Sequence, residues 1–164
     1  MSRLRLFISS IIIILSINSS IMGQASSFSD RYAIDVEIFM GMLDGIYSDD
    51  MIDEITYFLP ENLSIINFNI GDYSGDGMLD IVISYNDNTY KKNSYNVLLL
   101  INDYDTFMQG GLFQFGWYYT PYDISFTIKD NICYITHFEK HKWVFTGFTY
   151  DNGELKKVLE EYYY

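Results

Sequence analysis

The sequence predicts a mainly β domain preceded by a short helical segment, an α+β arrangement with the helices packed on an antiparallel sheet. Three observations predict it. Apolar residues recur at three- and four-residue steps before Pro60, then give way to short runs rich in Tyr, Phe, Ile and Val. Two of the connections between those runs, "KDN" and "YDNGE", are short and carry hairpin signals, Asn152-Gly153 above all. "LDIVIS" and "VLLLI" are continuously apolar, which expects strands covered on both faces.

The first residues precede the fold. Arg3 and Arg5 form a positive start, residues 6–17 an apolar run broken by serines, and Gly23-Gln24-Ala25 a small-residue cleavage region. That is the organisation of a secretory signal. The run falls short of the roughly 20 apolar residues of a spanning helix, so no transmembrane anchor is expected after cleavage. Cleavage is expected after Ala25, with Gly23 the alternative, and no cysteine follows to accept a lipid. The expected destination is periplasmic or extracellular.

Removing 25 of the 164 residues leaves 139, which is the size of one domain. The division expected is a signal peptide over 1–25, a helical segment over 26–60 and a β domain over 61–164, the last two forming one folded unit. The signal takes two of the 10 basic residues and no acid, so eight basic against 22 acidic residues leave a formal charge of −14. Such a surface repels nucleic acid and anionic lipid, whose affinity depends on Lys and Arg. Cations and basic partners suit it better. Cys133 is the only cysteine, so no internal disulfide staples the fold, and its place in "ICYITHF" reads as a small apolar strand residue.

Ile34, Ile38, Phe39, Met42, Leu43 and Ile46 mark a first helix. Ser48-Asp49-Asp50 offers an N-cap and early acids to a second, with Met51, Ile52, Ile55 and Leu59 along one side and Pro60 as its stop. Strands are expected at 65–70, 79–85, 95–102, 113–119, 124–128, 132–138 and 143–150, and from Leu155 onward, joined as a meander. Residues 86–96 read as a polar hairpin loop.

The densest chemistry lies in "DYSGDGMLD", residues 72–80. Side chains bearing oxygen fall at alternate positions, Asp72, Ser74, Asp76 and then Asp80, with Gly77 permitting a sharp turn. Three acids at such short range repel without a counter-charge. Calcium takes six to eight oxygens, and a coiled loop aims alternate residues at one centre. Asp72, Asp76 and Asp80 supply carboxylates, Ser74 a hydroxyl or a bridging water, and Met78 its backbone carbonyl. A neutral serine among the ligands sets a modest affinity, on the order of 10⁻⁴ to 10⁻³ M. An EF-hand would carry Glu at loop position twelve; here that residue is Ile83, so the loop is of another kind.

"GDYSGDGMLDIVIS" resembles the calcium loop of FG-GAP and VCBS-type repeats, in which an acidic, glycine-bearing loop leads through Leu-Asp into an apolar strand. "YNVLLLINDYDTF" is similar to the next strand of such units. More broadly, the chain from Pro60 onward resembles a family of small exported bacterial proteins with one such loop followed by a β-meander. The resemblance implies one extended propeller blade, a bound calcium ion and no established catalytic activity. A closed propeller needs four or more blades of about 40 residues, which this chain cannot supply.

Three further features complete the reading. His137 and His141 flank a hairpin with Glu139, too few ligands for a closed zinc site. "GGLFQFGWYYTPYD" offers Phe115, Trp117, Tyr119 and Tyr122 as a partner-binding surface for a macromolecule or glycan. No serine elbow, phosphate loop or HExxH helix is present. The function expected is an exported, non-enzymatic binding protein with a calcium-stabilised loop. The alternatives are a periplasmic inhibitor of a basic enzyme such as lysozyme, and a glycoside or ester hydrolase using paired acids.

Overall fold

Among the described residues, eight antiparallel strands divide equally between two sheets, and two short helices cover one of them. The structure is a computed structural model; it describes residues 33–89, 94–115 and 123–164. Every described residue belongs to one compact unit, Tyr32–Tyr164.

Helix α1 (Val36–Leu43) starts at Asp35, whose carboxylate accepts from the Glu37 N–H at 2.8 Å. Helix α2 (Asp49–Phe58) starts where expected, at Ser48, whose hydroxyl oxygen accepts from the Met51 N–H. Asp49 and Asp50 then face the positive end of the helix dipole. No described helix is long and apolar enough to cross a membrane.

The first sheet runs β1 (Leu63–Gly71), β2 (Asp80–Asp87), β3 (Ser94–Asn102) and β4 (Phe107–Phe115), in that order across the sheet. The second runs β5 (Ile124–Lys129), β6 (Ile132–Glu139), β7 (Lys142–Asp151) and β8 (Glu154–Tyr163), again in chain order. The single meander expected is therefore two. Strand β4 begins six residues earlier than expected, and residues 116–119 of its expected span lie outside the described residues.

Alternation assigns the faces. Ile81, Ile83, Leu98 and Leu100 point from the central strands β2 and β3 towards the helices, where they meet Phe39, Leu43, Met51 and Ile55. Phe39 against Phe68 and Tyr47 against Phe107 add edge-on ring pairs at 5.1 Å. On the opposite face Val82, Val97, Leu99 and Ile101 meet Ile124, Phe126, Cys133 and Ile135 of the second sheet. The layers are helices, first sheet and second sheet, with one core in each gap. The continuous apolar runs of β2 and β3 are explained by that position between two cores.

Candidate functional site

Residues 72–80 form the turn from β1 into β2, at the edge where the first sheet meets the second. Gly71 is the approach point: a Cβ there would lie 3.0 Å from Ile128 of β5. The Thr149 hydroxyl of β7 donates to the Tyr73 carbonyl at 3.4 Å, and a Cβ on Gly75 would lie 3.3 Å from the Asn131 amide in the β5–β6 turn. Tyr73 itself is fully buried between the sheets. The loop thus fastens one sheet to the other.

Its acids play three different parts. Asp80 is fully buried, and its carboxylate accepts from the backbone N–H groups of Tyr73 and Ser74 at 2.8 Å each and of Asn102 at 3.0 Å. One side chain therefore gathers the loop and the far end of β3. Burial pushes the Asp80 carboxyl above its ordinary range, against the pull of those three donors. Asp72, half-buried, accepts from the Gly75 N–H and the Ser74 hydroxyl on one oxygen and from the Gly77 N–H at 3.0 Å on the other. Asp76 is exposed and accepts from the Met78 N–H at 2.8 Å. Gly75 and Gly77 adopt φ of 80° and 89°, a region a side chain would strain.

Tyr47, between the two helices, completes the frame. Its hydroxyl donates to the carbonyls of Leu79 and Asp80 at 3.0 and 3.3 Å, tying the helical layer to the same turn. Burial raises the Tyr47 hydroxyl well above its ordinary pKa, and the nearby Asp80 charge adds to the effect, so it stays protonated and donating. No local signal marks Tyr47 or Asn102, because each reaches Asp80 only through the tertiary fold.

The five expected ligands therefore share one turn, with Asp80 buried and Asp76 exposed. Among the described residues no three His, Cys, Asp or Glu side chains gather as a metal-holding group. By donor chemistry the loop still suits a hard cation, since every donor is oxygen. An ionised carboxylate has about four acceptor positions; Asp72 uses three, Asp80 meets three backbone N–H groups and the Ser74 side chain, and Asp76 uses one. Uncommitted lone pairs remain on Asp72 and Asp76.

Phe115 ends β4 with its ring 5.2 Å from that of His137, at the margin of the sandwich. Trp117, Tyr119 and Tyr122 lie outside the described residues. His137 faces inward with Nε2 3.6 Å from Glu139, and burial holds its imidazole below the ordinary pKa. His141 sits exposed in the β6–β7 turn. Cys133 is fully buried and its thiol is pushed up to about 12 by burial first and by Asp80 second.

Comparison with family models, curated proteins and solved structures found no match to this chain. Nothing in those comparisons or among the described residues points positively to an enzyme.

Proposed function

We propose that the chain is an exported, non-catalytic binding protein in which residues 72–80 act as a calcium-completed clasp between the two sheets. The observation that carries this reading is the set of carboxylates on one turn, each anchored by backbone N–H groups, with unused lone pairs on Asp72 and Asp76. Calcium, when bound, would supply the counter-charge that three close acids require. The chain's own residues do the rest. Asp80 holds the turn from inside, Asp72 curls it, Asp76 and the Met78 carbonyl close it from the solvent side, and Ser74 lies between Asp72 and Asp80.

On this reading the first sheet and its loop are the FG-GAP/VCBS-like unit, a four-stranded blade extended by the second sheet. The partner is a macromolecule or glycan. A second reading, inhibition of a basic envelope enzyme, draws on the uneven charge: residues 33–115 hold fourteen acids and two lysines. Calorimetric titration with calcium tests the clasp and should give a saturable heat that Asp76→Ala abolishes; no heat on the native protein contradicts it. Capture from envelope extract separates the binding readings, since recovery of one basic hydrolase favours inhibition and recovery of glycan or surface protein favours adhesion.

A further inference from the structure

We infer that the outer face of the second sheet is the contact surface for a second copy of this chain. The helices cover the outer face of the first sheet, but neither core cluster includes the outward side chains of β6, β7 and β8. Register places Phe138, Trp143 and Tyr163 directly opposite one another on those three strands. They are 38%, 39% and 52% exposed, which is high for three neighbouring rings. Phe145 stands in the next outward position and packs edge-on against Tyr163 at 5.0 Å. Beyond it, a Cβ on Gly147 would lie 3.1 Å from Ile132 and from Leu159 and 3.4 Å from Tyr134, so these side chains close over the glycine and continue the apolar face.

Ring geometry argues against a sugar as the occupant. Stacking on a sugar needs ring faces held coplanar, whereas Phe138 and Trp143 are tilted by 59° and Phe145 and Tyr163 by 73°. Tilted rings present edges and clefts, which interdigitate with the side chains of another protein surface.

Charge selects which protein. Residues 33–115 carry fourteen acids and two lysines, whereas residues 123–164 carry seven acids and five lysines. By alternation the charged groups on the outward face of the second sheet are Lys129, Lys156, Asp151, Glu154 and Glu161, a net charge of −1, with Asp151 paired to Lys156. Two copies joined through it bring near-neutral surfaces together and set their acidic halves at opposite ends, so like-charge repulsion is least in this orientation. Four strands about 4.8 Å apart and about eight residues long give a face of roughly 500 Å². Two such faces bury about 1,000 Å², the lower bound for a specific interface.

Sedimentation velocity on the full chain across the micromolar range tests this. The native protein should sediment as a dimer whose affinity holds or rises with added salt, because salt screens the acidic ends. Tyr163→Glu and Trp143→Glu should each weaken association about tenfold or more. Ile38→Glu, on the exposed side of α1, should leave it unchanged. A native monomer at every concentration overturns the inference, whatever else binds the face. So does a dimer that survives both substitutions together, or one that dissociates with salt or with Ile38→Glu.

Discussion

Asp80 is where two electrostatic demands oppose each other. Burial favours its neutral form, and three backbone N–H groups favour the carboxylate; burial prevails and the pKa rises. A carboxyl with a raised folded pKa stabilises fully below its unfolded pKa, near 4, and loses that contribution as pH rises through the folded value. In chelator, the native protein should therefore lose stability relative to Asp80→Asn as pH climbs above about 4, measured by urea unfolding. The opposite slope would assign the shift the wrong sign. Asp80→Ala strands three donors and should cost about 3 kcal/mol, while Asp76→Ala, losing one exposed bond, should cost less than about 1 kcal/mol in chelator. Equal costs would deny Asp80 its inner role. Cys133, buried with its thiol pushed up to about 12, should resist alkylation in the folded protein and label fully in denaturant. Labelling of the native protein would show that the sandwich core opens. At this scale the sequence disclosed which residues belong to the loop, because alternation and glycines are local signals. It could not disclose that Asp80 faces inward, since that depends on Asn102 and Tyr47, 22 and 33 residues away.

Elements were legible where periodicity is strong and blurred where glycine serves packing. The Ser48 cap, the second helix and the central strands stand where the pattern put them, within the one- or two-residue fraying of element ends. The first helix, Val36–Leu43, is shorter than its apolar pattern, with Ile34 in a bridge to Ile65 and Ile46 past its end. Strand β4 departs further: it is expected from Phe113, yet it starts at Phe107 and holds Gly110 and Gly111 inside it. They are there because neighbours come too close for a side chain. A Cβ on Gly110 would lie 2.7 Å from Ile101, and one on Gly111 2.7 Å from Leu155 of β8. Gly111→Val should thus force β8 away from β4 and cost about 1–3 kcal/mol, measured by urea unfolding. A neutral substitution would mean that the two sheets are not held in contact at that edge.

The described residues form three layers with two cores, and that layering was only half legible. Continuous apolar strands foretold cover on both faces of β2 and β3, and the helices supply one side of it. The other side is a second sheet, which no local pattern separates from a continued meander, because a sheet boundary is set by which strands pair and not by what each contains. Residues 72–80 touch both sheets and, through Tyr47, the helical layer. Tension among their carboxylates therefore bears on the stability of the entire fold. A cation bound only by the folded state at a hundredfold excess over Kd adds about 2.7 kcal/mol, or on the order of 10 °C in Tm for a domain of this size. Thermal melting in calcium, in magnesium and in chelator, on the native chain and on Asp76→Ala, reads that linkage. The clasp predicts a rise of about this size with calcium that the variant lacks; identical melting of the native chain in all three conditions would contradict it.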